Sequence, residues 1–428
     1  MPLTATKKIA AQGAAWTVFG YGFSQGVRLV GNLVLTRLLV PELFGLMALI
    51  QTFITGLNLF SDVGIGPSII QNKRGEDPEF YNTAWTLQVI RGFGLWLCCL
   101  IIAWPIAKVY DNWQFIWLIP VVGLTTIISG FNSTALFVLN RRIALGKLTI
   151  FELGIQFISL TVMIVWAALS PTIWALVGGN LVSTFLKMAY SHWLISEQHN
   201  YLTWNKQASQ ELFSFGRWIF VSTAMTFLAN QADKLILGKL FSLEMLGVYT
   251  IAFVFANLPQ QIVSRLGNKL IFPLVSQYAN LPRKILRKKI IKKRQFMLLG
   301  LACMLTVLVS FGDLIIRTLY DERYTQATWM LPILALGIWP FILSNSINPL
   351  LLAIGKPLYS AYGNSLKLIY MIIGLPVAFS LGGVLGAIII VAFNDFPFYG
   401  VIIYGAWREK LVMVRQDIQT SLLLSVLI

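Results

Sequence analysis

The chain has 428 residues, of which 57% are hydrophobic and only 12% are charged, and its mean hydropathy is +0.73. Soluble domains carry about a quarter charged residues, so this composition excludes an ordinary soluble protein and predicts an all-α polytopic membrane protein. The net charge of +16 would suggest a nucleic-acid partner in a soluble protein, but in a membrane protein the positions of the basic residues determine the topology instead.

About twelve stretches along the chain are long and apolar enough to span a membrane, which takes about 20 mostly apolar residues each. The first lacks a clear cleavage site and is predicted to be a retained span, not a signal peptide. The predicted spans are residues 12–36, 43–62, 82–108, 114–138, 149–168, 173–194, 213–237, 244–264, 295–316, 329–352, 362–380 and 384–406.

The basic residues predict the orientation. Most of the 33 lysines and arginines fall in alternate loops, and a cytoplasmic N-terminus places those loops inside, as the positive-inside rule requires. The densest basic segment, Arg283–Arg294, follows the eighth span, and we expect it to contact anionic lipid headgroups rather than nucleic acid. The outer loops are short, which leaves no room for an external domain.

The first and seventh spans carry similar sequences. At an offset of 202 positions Glu42 aligns with Glu244 and Gly45 with Gly247. Four further polar pairs share one helix face in each copy: Tyr21 with Thr223, Ser24 with Thr226, Arg28 with Asn230, and Asn32 with Lys234. A duplicated unit is typical of transporters, whose substrate binds where the halves meet. The alternative is chance similarity between two leucine-rich helices.

The duplication divides the chain into a predicted pair of lobes. We predict an N-terminal six-helix lobe at 1–195, a cytoplasmic linker at 196–212, a C-terminal six-helix lobe at 213–410, and a partial or interfacial segment at 411–428.

Ionisable residues inside spans are costly, so each normally faces a cavity or a partner. The basic candidates are Arg28, Arg91, Lys187 and Lys234, and the acidic candidates are Asp62, Glu152, Asp233 and Asp395. Simpler roles stay open for several of them. Lys187 can reach the inner interface and Lys234 the outer one, Asp62 can stabilise a turn, and Asp395 can satisfy the backbone that Pro397 disrupts.

Enzyme signatures are missing. The sequence contains no HExxH, CxxC or GxxxxGK[ST] motif, and the two histidines, His192 and His199, have no companion ligands. We therefore predict neither an enzyme nor a cofactor or metal site. Any driving force comes from an ion gradient or from the gradient of the substrate.

Several motifs resemble those of one transporter family. The run from Leu35 to Gln71 contains the turn TRLLVPELFG and the span end SDVGIGPSIIQ. The second half contains FSFG at 213–216, QADKLILGKL at 231–240, LGVYTIA at 246–252 and FPLVSQ at 272–277. In order and spacing these motifs resemble the bacterial polysaccharide exporters, the Wzx-type flippases of the multidrug/oligosaccharidyl-lipid/polysaccharide superfamily. Members often have fourteen spans, more than we predict here.

The resemblance implies two six-helix lobes related by a pseudo-twofold axis, with a central cavity that opens alternately to each side. It implies a polyprenyl-pyrophosphate oligosaccharide as substrate, a bacterial plasma membrane location, and a polysaccharide polymerase as a possible partner. Cationic residues would offset desolvation of the pyrophosphate inside the bilayer. The candidates for the substrate site are Arg28, Asn32, Arg91, Asn230 and Lys234, and those for ion coupling are Asp62, Asp233 and Asp395.

Two other functions compete with a flippase. A multidrug cation exporter of the same superfamily would need an acidic cavity, and Arg28 on the polar face of the first span argues against it. A membrane glycosyltransferase or polysaccharide ligase would need a substantial outer loop, and the short outer loops argue against that.

Overall fold

A computed structural model gives the architecture of the chain. It describes residues 3–62, 64–142, 144–195, 199–266 and 283–428, so the motif at 272–277 lies outside the described residues. In these ranges every regular element is a helix and no strand occurs, which confirms the predicted all-α class. The helices form two compact units, Met1–Ala224 and Met225–Ile428.

The helices of the first unit begin at proline or capping residues where the sequence supplies them. Pro41 is the first residue of α2, and Asp77 caps α4 because its carboxylate accepts the backbone N–H of Glu79 at 3.2 Å. The helices are α1 Leu3–Leu38, α2 Pro41–Phe60, α3 Ile65–Gln71, α4 Pro78–Val109, α5 Phe115–Gly130, α6 Ala135–Arg141, α7 Leu145–Leu169, α8 Ile173–Ser191 and the first part of α9 Lys206–Leu240.

The second unit begins within α9 and continues through shorter and longer helices. Ser242 caps α10, since its hydroxyl accepts the backbone N–H of Met245 at 3.1 Å. The helices are α10 Leu243–Ala256, α11 Leu258–Leu266, α12 Arg283–Leu319, α13 Ala327–Asn345, α14 Asn348–Ala353, α15 Leu358–Ala392, α16 Phe396–Arg408 and α17 Val414–Leu427, with a 3-10 turn at Glu322–Tyr324.

The predicted twelfth span is broken in the structure. Just before this span, between the predicted eleventh and twelfth spans, Gly383 interrupts α15 with φ 56° and ψ −141°. A residue with a Cβ would adopt this backbone conformation only with strain. The helix stops at Ala392, three residues form a turn, and α16 begins at Phe396 with Pro397 in its first turn. Because proline has no backbone N–H, it is tolerated there but not in a helix interior. The break places Asp395 between two helices.

The described helices include six that are long and apolar enough to cross a membrane, or up to eight if each bent pair counts as one span. The bends are 60° between α5 and α6 and 48° between α10 and α11. These helices confirm a multi-pass membrane protein, whereas the count of twelve spans and the cytoplasmic N-terminus stay predictions. Neither α1 nor α9 passes this test. Their polar residues would need a protein partner or a cavity on one side if these helices span the membrane.

The helix boundaries repeat at the offset found in the sequence. Helix α1 ends at Leu38 and α2 begins at Pro41, while α9 ends at Leu240 and α10 begins at Leu243. Both boundaries therefore recur 202 positions later. A chance similarity of side chains would not repeat the turn between two helices, so the agreement supports an internal duplication.

The segment before α9 packs as part of the first unit. Asn200 Nδ2 donates to Thr134 Oγ1 at 2.8 Å, and Ser133 Oγ donates to Asn200 Oδ1 at 2.7 Å. The backbone N–H of Thr203 donates to Thr86 Oγ1 at 3.0 Å. These bonds give the predicted linker fixed partners on α4 and before α6. The predicted lobe boundaries themselves stay a prediction.

The C-terminal helix α17 is held to α12 by a buried ion pair. Arg294 Nη2 lies 2.5 Å from Asp417 Oδ1, and the two side chains are 1% and 3% exposed. Arg294 therefore does not belong to the lipid-facing surface that the sequence predicts for Arg283–Arg294. Asp417 lies more than a hundred positions from Arg294 along the chain, so the sequence pattern does not predict this pair.

One surface pair predicts a small pH effect on stability. Arg142 Nη2 lies 2.5 Å from Glu76 Oε2, and this hydrogen bond holds the pKa of the Glu76 carboxyl below its usual value of 4.5. The stabilisation is present above that value and is lost as the pH falls through the lowered pKa. Glu76 is 41% exposed, so we expect Glu76→Gln to cost under about 1 kcal/mol at pH 7. The stability gap between the variant and wild type should then shrink as the pH falls through the lowered pKa of Glu76. Thermal unfolding at a series of pH values measures this, and a gap that stays constant down to acid pH would contradict it.

Candidate functional site

The polar face of α1 contacts α7 at one end. Ser24 Oγ donates to Gln156 Oε1 at 2.5 Å, and Gln156 Nε2 donates to the Ser24 carbonyl at 2.9 Å. Gly31 lies against Leu160, where an added Cβ would come within 2.3 Å of a leucine methyl group. These contacts fix the rotation of α1 about its axis, and with it the direction of the remaining polar residues.

Arg28 lies one turn beyond Ser24 on the same face. Its side chain is exposed, Asn32 on the next turn is half-buried, and among the described residues Arg28 has no hydrogen-bond or ion-pair partner. An arginine carries five donors and stays charged, so an unpartnered one on a predicted span is suited to bind an anionic group.

Arg91 and Asp62 have structural partners instead. Arg91 Nε donates to Ser61 Oγ at 2.9 Å, and Nη2 donates to the Asn58 carbonyl at 2.5 Å, so the guanidinium satisfies the end of α2. The Asp62 carboxylate accepts the backbone N–H of Gly64 at 2.9 Å, in a turn where Gly64 has φ 67°. The predicted roles of Arg91 in substrate binding and of Asp62 in ion coupling stay predictions.

The second unit contains a polar cavity of about 220 Å³. It is smaller than the about 300–1,000 Å³ typical of sites for drug-sized ligands. Its polar lining consists of two acids, two lysines and five side-chain amides: Asp233, Asp395, Lys234, Lys367, Asn230, Gln231, Asn257, Gln260 and Asn394. The remaining wall is apolar, with Phe253 and Met371 among its members.

An ion pair between Lys367 and Asp395 lies in this cavity. Lys367 Nζ donates to Asp395 Oδ1 at 2.8 Å, and the Asn230 side-chain carbonyl lies 3.5 Å from the same nitrogen. The residues are 4% and 6% exposed. Lys367 lies nine residues after the start of α15, roughly 14 Å along the helix axis at about 1.5 Å per residue. The pair is therefore well inside the bilayer if α15 spans it.

The other two charged residues of the cavity have different partners. The Tyr249 hydroxyl donates to Asp233 Oδ2 at 2.5 Å, and Asp233 is 5% exposed. Lys234 Nζ donates to Gln231 Oε1 at 3.0 Å and lies 5.9 Å from the centre of the Phe253 ring. Asp233 and Lys234 are thus neighbours in sequence but not an ion pair, because successive helical residues point to different sides.

The structure brings together some predicted residues and separates others. Asn230, Asp233, Lys234 and Asp395 line one cavity in the second unit, whereas Arg28, Asn32, Asp62 and Arg91 belong to the first unit. Sequence reasoning missed Lys367, which lies within the predicted span 362–380 but was not among the ionisable candidates. The available signal was its distance from Pro357, which starts the helix early and places Lys367 several turns inside it.

Among the described residues, no three His, Cys, Asp or Glu side chains are grouped so that they could hold a metal ion.

Comparison with known proteins identifies the family. A family model described as polysaccharide biosynthesis protein matches residues 34–328, more than half of the chain. The chain belongs to this polysaccharide biosynthesis protein family. The match begins within α1 and ends within α13, so it includes parts of both units.

Curated relatives of this family member are polysaccharide biosynthesis proteins. The teichuronic acid biosynthesis protein TuaB of Bacillus subtilis is 21% identical and covers 76% of this chain and 67% of its own length. The succinoglycan biosynthesis transport protein ExoT of Rhizobium meliloti is 20% identical and covers 83% of this chain and 72% of its own length. The lipopolysaccharide biosynthesis protein WzxC of Escherichia coli is 21% identical, covering 91% and 80%. These relatives confirm the predicted resemblance and the prediction of a transporter rather than an enzyme.

Solved structures show the same fold. The lipid II flippase MurJ in an inward closed conformation matches with a TM-score of 0.74 at 13% identity, covering 96% of this chain and 91% of its own. An inward-facing multidrug resistance transporter of the MATE family matches with a TM-score of 0.69 at 13% identity, covering 94% and 95%. At this identity the likeness establishes the fold and leaves the transported substrate to other arguments.

Proposed function

We propose that the chain is a flippase that moves a polyprenyl-pyrophosphate-linked oligosaccharide across a bacterial plasma membrane by alternating access. The product would serve the assembly of exopolysaccharide, O-antigen or capsule. The curated relatives, which are named for the biosynthesis of such polymers, support this substrate class. The observation that carries the proposal is Arg28, an exposed and unpartnered cation among the described residues, on the polar face of a membrane helix.

The chemistry of the substrate explains why such a cation is needed. A pyrophosphate group is anionic and loses its hydration when it enters the bilayer. A guanidinium offers two parallel N–H donors that match two phosphate oxygens, and its charge offsets part of that loss. Arg28 is the first candidate for this contact, with Asn32 beside it. Arg91 would have to exchange its bonds to the end of α2 for the phosphate.

The cavity in the second unit suits the glycan part of the substrate. Side-chain amides and acids can donate to or accept from sugar hydroxyls, and Phe253 offers an apolar surface beside Lys234. The buried side-chain oxygen of Asn257 has no hydrogen-bond partner among the described residues, so it is free to accept one. Asn230 and Lys234 are the members of this cavity that we predicted for the substrate site.

Three acidic residues are proposed for ion coupling, and anionic lipids and a polymerase are proposed as partners. Asp62, Asp233 and Asp395 are the proposed residues for ion coupling, and each already has a hydrogen-bond donor from the protein. Anionic lipids are the proposed partners of the exposed part of Arg283–Arg294, and a polysaccharide polymerase would receive the transported unit.

A reconstitution experiment tests this function. Proteoliposomes are loaded with a labelled polyprenyl-pyrophosphate oligosaccharide in one leaflet, and its arrival in the other leaflet is measured with a membrane-impermeant reagent. Protein-dependent movement supports the flippase. Uptake of a cationic dye by the same vesicles, without movement of the glycolipid, would instead favour the multidrug cation exporter. That alternative needs a cavity with net negative charge, whereas the two acids and two lysines of the second-unit cavity balance.

A further inference from the structure

The buried lysine of the second unit occupies the position that a free cation would take at Asp395. Lys367 Nζ lies 2.8 Å from the carboxylate, with the Asn230 carbonyl as a second oxygen at 3.5 Å. Oxygens from a carboxylate and an amide are the ligands that alkali and other hard cations prefer in proteins. Here these two oxygens contact the ammonium group of Lys367 instead.

We infer that Lys367 is a built-in counter-ion that keeps sodium and other alkali cations from binding at Asp395. The inference refines the proposed coupling role of Asp395 and takes its functional meaning from the proposed transport. Transport by such a flippase would not be coupled to sodium through Asp395, because Lys367 already supplies the positive charge that a sodium ion would bring there.

The surrounding charges argue for exclusion rather than for a shared site. Helix α9 contributes Asp233 and Lys234, and α10 contributes Tyr249, whose hydroxyl already bonds to Asp233. A free cation beside Asp395 would lie within a few ångströms of the Lys367 ammonium, and like charges repel strongly at low dielectric. Lys367 and Asp395 are only 4% and 6% exposed, so little water is present to screen that repulsion.

The lysine is held in place rather than free to leave. Lys367 is on α15, where Met371 lies one turn further and also lines the cavity. On the preceding turn, Gly363 packs against the Phe398 ring of α16, where an added Cβ would lie 2.6 Å from a ring carbon. This close contact joins α15 to α16, whose first turn follows Asp395. Lys367 therefore lies on a helix that packs against the helix that begins directly after Asp395.

Removing the lysine should create the cation site. In Lys367→Gln the Asp395 carboxylate keeps its Asn230 neighbour and loses its countercharge, so a buried anion is left to recruit a cation or a proton. At pH 8, where protonation competes less, we expect sodium chloride to raise the thermal unfolding temperature of this variant by about 2–4 °C over choline chloride at equal ionic strength. We expect the wild type to show no such difference.

Lys234→Gln is the matched control, because it removes a lysine from the same cavity that bonds to an amide instead of a carboxylate. It should respond to sodium as the wild type does. The double variant Lys367→Gln/Asp395→Asn removes both charges and should also lose the response. If Lys367→Gln does not fold, it is replaced in the test by Lys367→Ser, which leaves more room for a hydrated ion. Binding of radioactive sodium to the wild type is then also measured directly.

Each outcome of the sodium experiments either supports or overturns the inference. A sodium response that appears on loss of Lys367 and disappears on loss of Asp395 supports the inference. Saturable sodium binding by the wild type that Asp395→Asn abolishes overturns it, as does a response in Lys234→Gln equal to that in Lys367→Gln, or no response in either Lys367 variant. No lipid-linked substrate is used, so failure here is distinguishable from failure of the proposed transport.

Discussion

Replacing Arg294 by methionine should lower the free energy of unfolding by about 3–5 kcal/mol, since it leaves a buried carboxylate without its countercharge. The pair between Arg294 and Asp417 is almost completely shielded from solvent. Arg294 also donates to Ser346 Oγ at 2.7 Å and to the Gln416 side-chain oxygen at 2.9 Å. The substitution therefore removes bonds from α12 to both α13 and α17, and thermal or denaturant unfolding in detergent measures the loss.

Lys292→Met is the matched control for this prediction. Lys292 lies two residues earlier on α12 and its side chain is exposed, so we expect a change within about 0.5 kcal/mol. Asp417→Asn should also be costly, because it leaves the buried Arg294 guanidinium without its countercharge. The double variant Arg294→Met/Asp417→Asn should lose less stability than the two single variants together, because the effects of substitutions at contacting residues do not add. Equal stability of Arg294→Met and Lys292→Met would contradict a role of the pair in holding α17.

The sequence predicted the all-α class and several helix starts because their causes are local. Apolar length fixes where a span can lie, and proline or a capping residue fixes where it begins. Pro41 and Ser242 begin α2 and α10 at positions related by the internal repeat. Pro397 predicted the break beside Asp395, and the structure has that break.

The sequence did not predict the pairs that hold the charged residues, because their partners are distant along the chain. Lys367 lies 28 positions from Asp395, and Arg294 lies more than a hundred from Asp417. A count of basic residues treats both cations as surface charges that set the topology. Only the packing of α15 on α16, and of α12 on α17, turns them into buried ion pairs. For the same reason Arg91 was predicted as a substrate ligand, and the structure shows its bonds to the end of α2.

Arg28 differs from these residues because its side chain is exposed. Its neighbour Ser24 is bonded to α7, while Arg28 itself has no partner among the described residues. A structural arginine would have used its donors within the unit, as Arg91 and Arg294 do. The contrast between the three arginines is therefore the reason to test Arg28 first for the pyrophosphate.

Arg28→Gln should lower the rate of glycolipid transport by about 10-fold to 100-fold, since a hydrogen bond to a charged group contributes about 1.5–3 kcal/mol. Arg28→Lys keeps the charge but loses the two parallel donors, and should lie between the glutamine variant and wild type. Both variants should unfold at the wild-type temperature, because an exposed side chain without a partner contributes little to folding.

Lys147→Gln supplies the control for net charge, since Lys147 is an exposed cation of the same unit near the start of α7. It should transport at the wild-type rate, because it removes one positive charge away from the polar face of α1. The initial rate of arrival in the second leaflet is the quantity to compare, at matched protein density. Wild-type transport by Arg28→Gln would rule out the cationic contact, whereas equal losses in Arg28→Gln and Lys147→Gln would assign the effect to net charge.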